Sequence, residues 1–427
     1  MRSGVKTILV SLVAALLVTG LVACGGGGEA TSSGDNGDAP KIGGTITIWD
    51  RTYRAFPAYT SAIDQIDRAF EALHPGVKVN HVAQPAATFE QVLQAAFTAR
   101  EGPDIVRLAP GASVVQWSKG LERLDDRISD EMRENLSGWN TTGPGYSGER
   151  DIYGVPYGVI GDVFYYNKKL FRRAGLPTDF QPQTWEEVKE AGEKLKAAGI
   201  QPFADGNKEG YANGWWLNVG WQTANTADDL QALANGETSF TSDAVAAAYA
   251  PHIMMQEAGL FEDDRFTTPL QPDGVARFGE GDVGMFLGKW ALTAYYVDYN
   301  AKLGEENVGI FFPPGSNYIS VNPNGVLSIT NFSENQDTAW AYLEFISEAR
   351  NAQTLYEVGG VLPNHKDVEP LADAPVQERE LIAAMRENET FPQAELMFPG
   401  PVMATMYAEI NEVLQGRKPL AEAQQAL

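Results

Sequence analysis

What most constrains this chain is a change of hydrophobic period that recurs between Gly44 and Gly111. "GTITIW" (Gly44–Trp49) alternates polar and β-branched residues and predicts a strand. The next apolar residues, Ile63, Ile66, Phe70 and Leu73, fall at helical spacing, and His74-Pro75-Gly76 ends that helix. "VKVNHVA" (Val77–Ala83) returns to period two. Thr88 and Gln91 have capping-box spacing ahead of Phe89, Val92, Leu93, Ala96 and Phe97 on one helical face. "DIVRLA" (Asp104–Ala109) is a third strand, stopped by Pro110-Gly111. The order βαβαβ predicts an α/β fold with a parallel sheet covered by helices.

A second αβ region starts near Tyr157, with "VFYYN" (Val163–Asn167) as a strand and Thr184 with Glu187 capping the next helix. "VGIFFPPG" and "NGVLSIT" read as later strands, and Ser333 with Gln336 as the cap of the helix in "DTAWAYLEFISEA". From about Pro363 the pattern is helical. The chain has 427 residues, 44% of them hydrophobic. One core seldom grows past about 250–300 residues, so two lobes are expected.

The first 23 residues are of another kind. Arg2 and Lys6 precede an uncharged apolar run from Ile8 to Ala23, the layout of a secretion signal. The run is shorter than the roughly 20 residues of a membrane-spanning helix. It ends at Leu21-Val22-Ala23-Cys24, and Cys24 is the chain's one cysteine. This end resembles a bacterial lipobox, which implies a signal peptide over 1–23 and lipid on Cys24. The Gly- and Ser-rich stretch over 24–41 reads as a flexible tether. Two or more acyl chains would anchor the protein stably. No cysteine remains for a disulfide, so packing alone holds the fold. The formal net charge is −24. That argues against nucleic acid, where phosphate contacts dominate affinity, and against adhesion to anionic headgroups.

Two segments carry a specific resemblance. "YGVPYGVIGDVFYYNKKLFRRAGLPTDFQPQTWEEV" (Tyr153–Val188) has a strand, a Tyr-Asn pair, a helix ending in Ala-Gly-Leu-Pro, then Thr-Trp-Glu. "FGEGDVGMFLGKWAL" (Phe278–Leu292) follows in order. Both resemble the extracellular solute-binding proteins of ABC sugar importers, the group that includes maltose-binding protein. The resemblance implies a two-lobed, hinge-bending, periplasmic-binding-protein-like fold built from discontinuous segments. Lobe 1 would take 42–157 with about 320–357, and lobe 2 would take 158–319 with about 358–427. The chain would cross near 157, 319 and 358. A ligand would lie between the lobes, and the expected partners are a carbohydrate and the permease subunits of an ABC transporter. A monomer, anchored outside the cell membrane by lipid on Cys24, is expected.

Open α/β sheets bind ligands beyond the carboxyl ends of their strands, so the candidate contacts are strand-end residues. Asp50, Arg51 and Tyr53 follow the first strand, Gln84 the second, and Gly111 with Ser113 the third. Asp162 lies near the first crossing, and Asn324 and Gly325 near the second. Sugar ring faces suit aromatic rings, whose faces are slightly negative. Trp215 and Trp216, beside Asn213 in "EGYANGWWLNVGWQ", a stretch that reads as a loop or a short helix start, are aromatic candidates, and the resemblance adds Trp290, after a short strand. Trp185 and Trp340 read as core, and Trp49 as buried.

No catalytic motif competes. Gly279, Gly281 and Gly284 spell G-x-G-x-x-G, but a strand follows the motif, where a dinucleotide site needs a strand before and a helix after. His74, His81, His252 and His365 are scattered, so no metal or other cofactor is expected. The expected function is delivery of a sugar, di- or oligosaccharide, to an importer without chemistry. The alternatives are binding of a glycerol-phosphate-type polyol, for which Arg51, Arg54 and Arg107 are placed, and a secreted two-carboxylate glycoside hydrolase.

Overall fold

The computed structural model describes residues 41–85, 88–290 and 295–427. The signal-peptide reading (1–23), the lipidated Cys24 and nearly all of the tether lie outside the described residues.

The first sheet contains β1 (Gly44–Asp50), β2 (Val77–Ala83), β3 (Ile105–Leu108), β4 (Val155–Tyr157) and β10 (Gly325–Ile329). Their spatial order is β2-β1-β3-β10-β4. β1 runs parallel to β2 and β3, and β10 antiparallel to β3 and β4. The period-two pattern points Ile46 and Ile48 inward, where both are fully buried. The helix Pro57–Leu73 covers them with Ala62, Ile63, Ile66 and Phe70 at helical spacing. Each of the Ile and Phe side chains contributes about 1.5–3 kcal/mol on burial. Two expected caps are absent. The Thr88 side chain caps nothing, and the later helix begins at Gln336 with Asn335 as its N-cap. Ser333 instead donates to Asp104 Oδ1 and accepts from the Asn335 N–H, which fastens the loop to the start of β3.

The second sheet contains β5 (Ile160–Asn167), β6 (Gln201–Phe203), β7 (Val283–Trp290), β8 (Val308–Phe311), β9 (Ile319–Asn322) and β11 (Thr390–Phe391). Its order is β11-β9-β5-β7-β6, with β8 pairing with β5. β5 and β7 are antiparallel and buried along almost their whole length. Phe164, Phe203, Trp216, Met285 and Phe311 fill the core beside them.

The chain leaves the first sheet at Tyr157 and enters the second at Ile160, with Gly158 and Val159 between. Gly158 has φ 59°, and a Cβ there would lie 2.3 Å from a Val361 methyl. Only glycine suits both constraints. The return crossing falls at Pro323-Asn324, because Val321 and Asn322 pair with β5 and Ser320 with β11, all in the second sheet. A third passage follows the helix Ala349–Glu357, whose Leu355 joins the first core and whose Tyr356 joins the second. Asn364 ties these passages together. It accepts from the Gly158 N–H (2.9 Å) and donates to Ser137 O (3.0 Å) and Pro156 O (3.1 Å).

Candidate functional site

Strand register builds one wall of the candidate cleft. Asp50 pairs with Ala83, so Arg51 and Gln84 leave the sheet side by side. Trp49 pairs with Val106, which sets Arg107 next to Asp50 from the other side. β10 starts alongside, and Asn324 O accepts from the Arg107 guanidinium. Asp50 is buried and fully used. It accepts from the Thr52 N–H (2.6 Å) and the Tyr59 hydroxyl (2.8 Å), and lies 3.8 Å from Arg107 and from His81. Burial pushes its carboxyl up, but Arg107, His81 and the Thr52 N–H outweigh that and hold it at about 2. His81, with Nδ1 3.3 Å from Asp67, is held up at about 9; burial pulls its imidazole down, and the two carboxylates overcome that. Arg51 differs, being half-buried with no ion pair among the described residues. Its guanidinium lies 5.8 Å from the Phe89 ring centre.

The other wall rises from β5 and β7. Asp162 and Lys289 are direct cross-strand partners. The Lys289 ammonium lies 2.8 Å from Asp162 Oδ1 and 2.8 Å from Glu395 Oε1. Asn218 bridges the two acids from the helix Ala212–Ala224, donating to Asp162 (2.8 Å) and Glu395 (3.1 Å). Gln393 also donates to Asp162. Above this triad the Trp215 ring centre lies 5.3 Å from the ammonium, and Tyr211 packs edge-on against Trp215 at 5.8 Å. Tyr211 is 42% exposed, and Phe56, in the loop after β1, is 36% exposed. Among the described residues these are the exposed large aromatic rings, one on each lobe.

The two walls meet. Gly111, after β3, has φ 75°, and a Cβ there would lie 2.3 Å from Leu396 O. The Tyr146 hydroxyl donates to Met397 O at 2.9 Å. Arg51 is within electrostatic range of Tyr211, Glu90, Asp50 and Arg107. The loops after β1 and β3 thus face the start of the helix Ala212–Ala224 and the 394–397 turn.

The expected site residues divide accordingly. Arg51, Gly111, Asp162, Trp215 and Asn324 gather at this junction. Gln84 is half-buried beside it and gives its backbone N–H to Asp50 O (3.1 Å). Asp50 sits one layer beneath. Tyr53 is buried, donating to Asp64 at 2.7 Å with its ring against His81. Asn213 is enclosed in an amide cluster with Asn207, Asn411 and Tyr407 O, because the stretch expected as a loop or a short helix start is a thirteen-residue helix buried nearly all round. Trp216 stacks on His252 at 4.8 Å and meets Phe164, Phe203 and Phe261, which leaves no ring face for a ligand. Trp290 is fully buried against Gly161. Tyr211, Lys289, Glu395, Asn218 and Gln393 were not anticipated. Lys289 precedes Trp290 in the Phe278–Leu292 segment, and only the strand register sets it opposite Asp162.

Among the described residues no group of His, Cys, Asp and Glu could hold a metal ion, and no helix is long and apolar enough to cross a membrane. Cavities of about 330, 330 and 240 Å³ run along the crossing segments, lined by residues such as Leu136, Val159, Val321 and Asn364, and none of the candidate contacts lines them.

The family model described as bacterial extracellular solute-binding protein matches residues 65–384. The sn-glycerol-3-phosphate-binding periplasmic protein UgpB of Escherichia coli K12 is 24% identical over 325 residues, covering 70% of each chain. A solved chitin oligosaccharide binding protein superposes with a TM-score of 0.74 at 22% identity, over 90% of this chain and 96% of its own. A cyclic α-maltosyl-1,6-maltose binding protein from Arthrobacter globiformis gives 0.70 at 19%, over 90% and 97%.

Proposed function

This chain belongs to the bacterial extracellular solute-binding protein family, and on that premise we propose that it captures an uncharged sugar outside the cell and hands it to the permease of an ABC importer. The observation that carries the reading is Tyr211, an exposed ring on one lobe within reach of an unpaired arginine, Arg51, on the other. A pyranose offers C–H faces for the ring and hydroxyls for the guanidinium. Trp215, packed beneath Tyr211 at 5.8 Å, extends the aromatic surface. The structural neighbours named for chitin and maltosyl oligosaccharides support a di- or oligosaccharide. Arg51, Tyr211, Trp215, Gln84, Asn324 and the Gly111 backbone are the proposed contacts.

The protein acts without chemistry on its ligand. Asp162 and Glu395, paired acids beside the cleft, are both buried and both sit on one ammonium, which argues against the acid and nucleophile roles of a glycoside hydrolase. Cys24 carries the lipid, and the protein works as a tethered monomer.

A thermal-shift screen followed by calorimetry tests this. Chito-, malto- and xylo-oligosaccharides, galactose and glycerol 3-phosphate would be the panel. A saccharide at 100 times its Kd should add about 2.7 kcal/mol of stability. Recovery of the sugar unchanged, with binding lost in Tyr211→Ala and Arg51→Ala, is the expected result. Conversion to smaller sugars, or binding of none of the saccharides, would overturn the reading.

A further inference from the structure

The charges around the cleft do not balance. On the first wall, Arg51 and Arg107 stand against Asp50 and Glu90. Behind them His81 stands against Asp67. Asp205, further along the second lobe, pairs with Arg265. On the second wall Lys289 alone faces both Asp162 and Glu395, and all three are buried. The neighbours of these acids on the other packed elements are uncharged: Asn218, Gln393, Tyr211, Tyr165 and Tyr407. One carboxylate is therefore in excess directly under Tyr211 and Trp215. Two further observations agree. Burial pushes Asp162 up to about 6, and Glu395 adds to that rise against the pull of Lys289. The Tyr211 hydroxyl is pushed up to about 12, with Glu395 the largest cause. At Tyr211 the Glu395 carboxylate is the main cause, whereas at Asp162 burial is the larger cause and Glu395 adds to it.

We propose that the Asp162–Lys289–Glu395 triad is a charge filter, which makes the cleft specific for uncharged solutes and excludes phosphate esters and sugar acids. This rests on the reading that the cleft takes a sugar. No member of the triad touches the ligand; all three act through the potential at the wall. A buried unit charge beneath a binding surface, at an effective dielectric of about 20, changes affinity for a like-charged ligand by about tenfold. The relative named for glycerol 3-phosphate shares the fold at 24% identity, and the filter separates this chain's ligand class from that one.

The test compares each neutral sugar that binds with its uronate, whose charge is constant from pH 5 to 8, and adds glycerol 3-phosphate as a separate probe. The purified wild-type protein should prefer the neutral member by about tenfold at pH 7.5, and by less at pH 5, where the triad takes up a proton. Glu395→Gln should narrow that preference while keeping affinity for the neutral sugar. Equal affinities in the wild type, tighter binding of glycerol 3-phosphate than of any sugar, or a preference unchanged in Glu395→Gln would overturn the filter. A second measurement needs no ligand. Carboxyl-carbon NMR should find Asp162 titrating near 6 in the wild type and lower in Glu395→Gln. An ordinary aspartate titration would refute the charge excess even if every sugar bound, whereas failure of all sugars with a raised Asp162 would sink the sugar reading and spare the triad.

Discussion

At the scale of single residues, the two clusters of buried charge beside the cleft follow opposite logic. The triad has two acids for one base, so its members are not equally replaceable. Asp162→Asn or Glu395→Gln leaves one acid and one base facing each other. Lys289→Met strands two carboxylates, and breaking a buried pair in this way costs about 3–5 kcal/mol. Urea unfolding should therefore rank Lys289→Met well below both carboxylate variants, and a cost equal across the three would contradict the unequal charge count. The second cluster is balanced, and His81 is its sensor. Its folded pKa of about 9 lies above the ordinary 6.5, so the folded state binds the extra proton between those values. The stabilisation is complete below about 6.5 and is lost as pH rises through about 9. Between pH 6.5 and 9.5 the wild type should lose about 2–3 kcal/mol, and His81→Asn should flatten that slope. Asp162, also raised, titrates below this window and does not disturb it.

At the scale of elements, the meeting of the lobes depends on a loop after β3 and a short turn at Ala394–Leu396. Gly111 is where they touch, with φ 75° and no room for a methyl group beside Leu396 O. Gly111→Ala should hold the loops apart and weaken the ligand by at least about tenfold if only a small fraction of molecules can close, since apparent affinity scales with that fraction. Calorimetry would show it, and undiminished affinity would mean that this contact plays no part in capture. The elements that the sequence revealed are those with one apolar face. β1, β2 and the helix Pro57–Leu73 are half-covered, so their periods survive in the residues. The helix Ala212–Ala224 is buried on every side, with Asn213, Asn218 and Gln222 among its tryptophans. Such a segment has no exposed face and therefore no period to read. The same burial explains why Trp216 packs on His252 and is turned away from the cleft, while Tyr211, at the helix start, keeps an open face.

At the scale of the whole molecule, two sheets are joined by short crossing segments, and long-range partners across them are not legible in the order of elements. Nothing local marks Glu395 as the partner of Lys289, 106 positions away. The βαβαβ order, by contrast, brought Arg51, Gln84 and Gly111 to one edge, because parallel strands end together. Because the candidate contacts gather at that edge, motion of one lobe against the other would change the site. The crossings at Gly158–Val159 and Pro323–Asn324 lie next to each other, held by the Asn324 N–H on Tyr157 O (3.0 Å) and by Arg107. Short paired segments of this kind permit rotation of one lobe against the other, and a ligand that bridges both walls selects the closed pose. A compact chain of residues 41–427 should have a radius of gyration of about 21 Å. Small-angle scattering should find the sugar-saturated protein near that value and the ligand-free protein larger. Gly111→Ala should stay expanded at saturation, because the loops that meet in the closed pose then clash. A radius that is identical with and without sugar would show that the lobes are fixed, and capture would then have to occur in a preformed cleft.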